Sequence, residues 1–283
     1  MVLACVGVLA FSFTLPMTKI AVRGIDPFVA AVGRAVVAAA LAAIVLRARH
    51  AARPNADQLR RLAIVALGVI VGFPLLTAYA LHHSASAHGA VVIGLLPLAT
   101  AGLAVARANE RPSPIYWACS VIGLAAVVMF SVHQGGGSFH AADELLLAAV
   151  ISAAVGYTEG ALLARAIGGW QVICWALVLC APITLTTTVL MAMRPGALHA
   201  TVGQWTAFGY TAVVSMFLGF FAWYGGMARA GIARAGQVQL AQPALSMLWG
   251  WPLLGERLTL AAMVTAGVLF GAVAIGRRAA VRW

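Results

Sequence analysis

The chain has 283 residues, 63% of them hydrophobic and only 9% charged, against about 45–50% and 25% in soluble domains. So few charges cannot cover a water-soluble fold, and at about 20 helical residues per crossing plus short connections the length is consumed by roughly ten membrane helices, with no soluble domain left over. The net charge of +11 is carried mostly by arginines between apolar runs, where such residues orient helices in a membrane, so it does not read as a nucleic-acid surface.

Ten spans are expected, at 3–22, 27–46, 62–82, 88–106, 114–132, 143–164, 170–191, 205–228, 235–253 and 260–277. The first begins without a basic segment before it and reads as a retained membrane helix rather than a cleaved signal. Its second half, FSFTLPMTK, is interrupted at Thr14, Pro16 and Met17. Proline kinks a helix, Thr14 is placed to bond the freed backbone, and broken helices mark substrate sites in transporters. The second span carries Arg34, which reads either as a partner for a substrate carboxylate or, preferably, as a tie to a facing helix end. The connection 47–61 holds five Arg. In the third span Tyr79 and His82 share a face, being three residues apart, and His82 is expected at the mouth of a cavity. His82, His83 and His88 cluster without converging, so no metal site is expected.

Residues 133–142, HQGGGSFHAA, carry neither Arg nor Lys and divide the chain into a first five-helix repeat, 1–137, and a second, 138–283. Asp143 and Glu144 open the sixth span, and Glu159 is the one acid in the interior of a span. It reads as a cavity carboxylate for a substrate ammonium or a proton, or as a partner of Arg165. Tyr157, Trp175, Trp223 and Tyr224 offer stacking faces with polar tips, suited to an aromatic or amphipathic ligand. In the ninth span Gln237, Gln239 and Gln242 precede Pro243, and uncharged amides can bond both ends of a zwitterion. Pro243 lacks the N–H that would bond the Gln239 carbonyl. The motifs GVIVG (68–72) and GVLFG (267–271) read as close helix packing. The cysteines Cys5, Cys119, Cys174 and Cys180 lie in apolar runs and read as small buried hydrophobes.

With the N-terminus inside, 13 of the 17 loop and tail basic residues fall on the cytoplasmic side, so both termini are expected there. The halves also align. LLPLATAGLAVARANERPSPIYW lies over AQPALSMLWGWPLLGERLTLAAM, with Pro97 on Pro243 and Glu110-Arg111 on Glu256-Arg257. Tyr79 falls on Tyr224 with one residue of slippage. Five helices per repeat is an odd number, so the second copy must enter from the opposite side, as in inverted-repeat transporters whose site lies near the midplane.

The Pro-to-Glu-Arg ending of each half, the "GER-L" of the second, Asp26-Pro27 and Arg34 seven residues beyond together resemble the EamA family of the drug/metabolite transporter superfamily. The resemblance covers essentially the whole chain. It implies a ten-helix, two-repeat carrier that exports metabolites, with the greatest similarity to exporters of aromatic and other neutral amino acids.

The expectation is an all-α secondary transporter of a bacterial-type inner membrane, without cofactor, metal or catalytic residue. Its partners would be lipid and a small-molecule substrate, and nucleic acid is not among them. The substrate-binding set is Thr14, Tyr79, His82, Tyr157, Glu159, Trp175, Tyr224, Gln237, Gln239 and Gln242, around a cavity lined by spans 1, 3, 6, 8 and 9. Glu110 and Glu256 are expected in water-solvated loops, where their loss costs less than that of Glu159. A drug or other metabolite exporter and a non-transporting assembly factor are the alternatives. An intramembrane enzyme would need paired acids or a zinc motif, and neither is present.

Overall fold

The structure is a computed structural model and describes residues 1–83, 89, 92–135, 141–257, 259–276 and 281–282. His88, the domain boundary at 137/138 and most of the glycine connection lie outside the described residues.

The chain is helical in order: α1 Val2–Ser12, α2 Thr14–Ala21, α3 Pro27–Ala48, α4 Ala56–Val65, a π-helical stretch Ala66–Gly72, α5 Phe73–His83, α6 Leu96–Ala108, α7 Pro114–Gly135, α8 Ala141–Ile167, α9 Gly169–Ala192, α10 Val202–Gly209, a second π-helical stretch Tyr210–Leu218, α11 Gly219–Ala230, α12 Ile232–Gln239, α13 Ala241–Leu254 and α14 Leu260–Gly276. Among the described residues, six helical stretches are long and apolar enough to cross a membrane: Val2–Ala21, Pro27–Ala48, Ala56–His82, Ala141–Ile167, Gly169–Ala192 and Val202–Ala230. Shorter apolar helices accompany them at Leu96–Ala108, Pro114–Ala126 and Leu260–Gly276.

Helix starts follow local chemistry. Asp26 caps α3, its carboxylate accepting from the amides of Phe28 and Val29, with Pro27 at the first helical position where a missing N–H costs nothing. Asn55 with Gln58, and Thr201 with Gln204, form reciprocal capping boxes at the starts of α4 and α10. The C-terminal ends of α6 and α13 close on left-handed residues, Asn109 (φ 54°) and Gly255 (φ 68°). In both, the next residue's amide reaches back six positions, Glu110 N–H to the Ala104 carbonyl and Glu256 N–H to the Gly250 carbonyl, each at 3.3 Å.

The two halves pack through one another. The α3 helix lies along α9, and α1 lies along α11, so a single buried cluster draws Phe11 and Ile70 from the first half and Tyr157, Phe220 and Trp223 from the second. Small residues set the closest crossings. A Cβ at Gly68 would stand 2.6 Å from the Ser152 carbonyl oxygen, so GVIVG is indeed a packing motif. GVLFG is not: a Cβ at Gly267 or Gly271 would meet nothing within 4 Å, and this corrects the expectation for that pair. Large apolar side chains such as Ile44, Leu67, Ile151 and Ile183 point outward at 64–69% exposure, as a surface solvated by lipid requires.

Short extended segments tie connections together. Arg111–Pro112 pairs antiparallel with Val281–Arg282, and Ile25 bridges to Leu198.

Candidate functional site

Four interruptions of helical geometry converge on the middle of the molecule: the break at Phe13, the two π-helical stretches, and the break at Leu240. The first is derivable from sequence. Pro16 has no N–H to give the Ser12 carbonyl one turn back. The Ser246 hydroxyl donates to that carbonyl instead at 2.7 Å, and Trp249 Nε1 donates to the Ser12 hydroxyl at 2.9 Å. Thr14 was expected to bond the freed backbone. It pairs across the halves with Ser215 of the second π stretch, the two oxygens 2.7 Å apart.

These elements enclose a pocket lined by Phe11, Thr14, Arg34, Tyr157, Ser215 and Gln242, with Val69, Met216 and Phe220 among its apolar walls. Its volume is about 20 Å³, room for about one water. Phe11 stacks on Tyr157, Phe220 meets it edge-on and Trp223 lies tilted against it, with ring centroids 5.4–6.5 Å apart. A narrower crevice continues the pocket past Leu15 to Gln239, Pro243 and Ser246, with Gln242 shared between the two. Gln239 donates weakly to Gln242 at 3.5 Å, and its own Oε1 is buried without a partner.

Of the ten residues expected at the site, Thr14, Tyr157, Gln239 and Gln242 are brought together here. The other six stand elsewhere. Tyr79 is 41% exposed. Tyr224 is fully buried, and its hydroxyl bonds the Gly156 carbonyl in the α8–α11 contact. Gln237 reaches Ser120 at 3.5 Å, against α7. His82 lines a vestibule of about 420 Å³ with Arg23, Asp26, Arg194 and His199. Trp175 lines a groove of about 380 Å³ with Arg53, Asn55, Gln58 and Gln171. The vestibule and the groove open at opposite ends of α3.

Glu159 is buried, but Arg107 holds it at 2.6 and 2.8 Å, with Oε2 left without a partner. Arg165, its expected alternative partner, instead binds Glu110 at 3.0 Å. Glu110 overturns the solvated-loop expectation. It is 0% exposed, and its two carboxylate oxygens accept from the amides of Ile232 and Ala233 at 2.9 and 2.8 Å. A carboxylate at the first turn of α12 meets the positive end of the helix dipole, so this side chain from the end of α6 fastens the start of α12.

Sequence reasoning missed Ser215, Phe11, Phe220 and Ser246, and set Arg34 aside as a structural tie. Only Arg34 carried a signal, as a cation inside a span.

Comparison with known proteins adds three findings. The model of the EamA-like transporter family matches residues 1–132 and 141–276. A Bacillus subtilis (strain 168) protein named "Uncharacterized transporter YdeK" is 42% identical over 281 residues, spanning 96% of this chain and 95% of that one. A solved crystal structure superposes with a TM-score of 0.74 at 19% identity, covering 97% of this chain and 94% of its own, a likeness of fold.

Proposed function

The chain belongs to the EamA-like transporter family, and on that premise we propose that it is a secondary carrier exporting small organic solutes across a bacterial-type inner membrane by alternating access. Amino acids with aromatic or neutral side chains are the first substrates to test. The observation that carries this reading is the small pocket of mixed polarity between the halves, bordered by helix interruptions. Regular helices satisfy their own backbone in lipid, and irregular ones are tolerated where they line a cavity. Stacked rings beside hydroxyls and amides suit an amphipathic solute.

Two inverted five-helix repeats, ten helices in all, supply the mechanism. Pro97 and Pro243 stand 146 residues apart, and the same spacing relates local structures outside the aligned segments as well as within them. It relates the capping boxes at Asn55 and Thr201, the helix breaks at Gly94 and Leu240, and the left-handed caps at Asn109 and Gly255. It also carries Ala66–Gly72 into the second π stretch. Such correspondence supports a pseudo-two-fold carrier whose halves rock about a shared site. A pocket of about 20 Å³ cannot hold an amino acid, so the halves must part toward one face and then the other.

Orientation follows from the charge bias. The strand pairing of Arg111 with Arg282 puts the C-terminal tail beside the connection after α6, both on the arginine-rich side. The Ile25–Leu198 bridge joins two connections on the other. This supports cytoplasmic termini.

Counterflow in proteoliposomes tests the function. Vesicles preloaded with unlabelled phenylalanine or leucine should accumulate the labelled solute transiently, above protein-free controls, and runs with and without a pH gradient report proton coupling. Absence of counterflow across a panel of aromatic and neutral amino acids would remove the amino-acid reading.

A further inference from the structure

Among the described residues, Arg34 is the one charged side chain lining the central pocket. It is 3% exposed, and its Nε is buried without a hydrogen-bond partner. Helix α3 offers it nothing, since the residues around it are Ala, Val and Gly. The polar side chains that share its pocket, Thr14, Tyr157, Ser215 and Gln242, are all uncharged residue types. Among the described residues no carboxylate lines this pocket. The buried acids Glu159 and Glu110 are committed elsewhere, Glu159 to Arg107 and Glu110 to Arg165 and the start of α12, while Asp143 and Glu144 stand in the first turn of α8 and Asp26 caps α3.

A guanidinium at mid-membrane costs about 2.5–3.5 kcal/mol even on insertion scales, and such groups pair or line a pathway. A tie to a facing helix end would show as donation to terminal carbonyls, and among the described residues none from Arg34 is found. The fork of donors on a guanidinium matches a carboxylate in geometry as well as charge. Gln239 presents the complementary feature. Its amide nitrogen is turned toward Gln242, which leaves Oε1, the orphan atom, as an acceptor without a partner on the residue that lines the crevice adjoining the pocket at Leu15 and Gln242.

We propose that Arg34 is the substrate's carboxylate anchor, with Gln239 Oε1 accepting from its ammonium, so that the pocket selects solutes carrying a free α-carboxylate. The apolar remainder of the solute then lies among Phe11, Met216 and Phe220. This deepens the amino-acid reading above and rests on it. It makes a sharper demand, because a carrier of amines, alcohols or neutral drugs has no use for an unpaired buried cation.

The test uses purified full-length protein, with binding followed by intrinsic tryptophan fluorescence, since Trp223 packs against Tyr157. Probes are L-phenylalanine and L-leucine beside their carboxamides, which keep the ammonium and the side chain and lose the anion. Wild-type protein should bind each acid at least about 10-fold tighter than its amide, the value expected for a charge-assisted hydrogen bond. Arg34→Gln should erase that preference, and Arg34→Lys should keep part of it. Because wild-type discrimination needs no variant, a misfolded Arg34→Gln does not blunt the test. Equal binding of acid and amide by wild type, binding of neither, or a preference that survives Arg34→Gln overturns the proposal. Counterflow in parallel separates the two readings. Carboxylate-selective binding without flux removes the transport function and keeps the anchor, whereas flux indifferent to the carboxylate removes the anchor and keeps the transporter.

Discussion

Ser12, Pro16 and Ser246 form a small closed account of why the first span breaks. The proline withdraws a donor, the Ser12 carbonyl is left over, and a hydroxyl from the opposite half supplies the bond. Ser246→Ala should therefore lower thermal stability by about 1–2 kcal/mol, the cost of an unsatisfied buried acceptor. Adding Pro16→Ala should recover most of it by restoring the N–H. Thermal unfolding of the two single variants and the double variant checks this, and additive losses would mean that the two residues are not coupled.

Glu110 is the residue whose role changed most between sequence and structure. It follows the last turn of α6, so sequence placed it in water. What buries it is α12, a segment 122 residues away whose first amides and Arg165 need an acceptor. Removing one partner of a buried ion pair costs about 3–5 kcal/mol. Glu110→Ala should accordingly destabilise the protein and impair transport more than Glu159→Gln. The Arg107 that serves Glu159 is 55% exposed, and pairs with so much exposure contribute little. This ordering reverses the sequence expectation. Equal melting temperatures for the Glu110→Ala variant and wild type would contradict it.

At the scale of elements, the two π-helical stretches shape the pocket. Each widens the helical turn by an extra residue and so rotates the remainder of its helix. That turns Val69 from one, and Ser215 and Met216 from the other, toward the centre, in keeping with the enrichment of π-bulges at functional sites. No residue type in ALGVIVG or YTAVVSMFL distinguishes them from ordinary helix, so they were not legible in advance. The proline breaks and the Pro-to-Glu spacing were. Arg34 fell between these cases. Its presence was visible, but α3 is apolar all round and gives no stripe from which to read the facing direction. Gly68 is the element-scale contact most exposed to test. Gly68→Val would drive a side chain into the Ser152 carbonyl and Gly156, costing about 1–3 kcal/mol. Gly267→Val, in open space, should be silent. Similar melting temperatures for these two variants would contradict the packing assignment.

The whole molecule was legible in outline because membrane folding leaves few options. Apolar length announced an all-helical membrane fold, and the helices long and apolar enough to cross a membrane bear that out, whereas the sidedness and the duplication belong to the proposal. The site was half legible. Thr14, announced by a helix break, and Gln239 and Gln242 of the amide cluster converge on the pocket with Tyr157, while Gln237 of that cluster turns to Ser120. Tyr79, His82, Trp175, Tyr224 and Glu159 were diverted to surface, vestibule, groove and interhelical contacts that only tertiary packing decides. The central claim is that one pocket between the halves opens alternately to the two faces. It is tested most directly by a single thiol at Ser215, placed in a background with the four native cysteines replaced. In sealed proteoliposomes of known orientation, an impermeant thiol reagent should label Ser215→Cys when added to either face, and a transported amino acid should protect it from both. Labelling from one face only, whatever solute is present, would contradict the account.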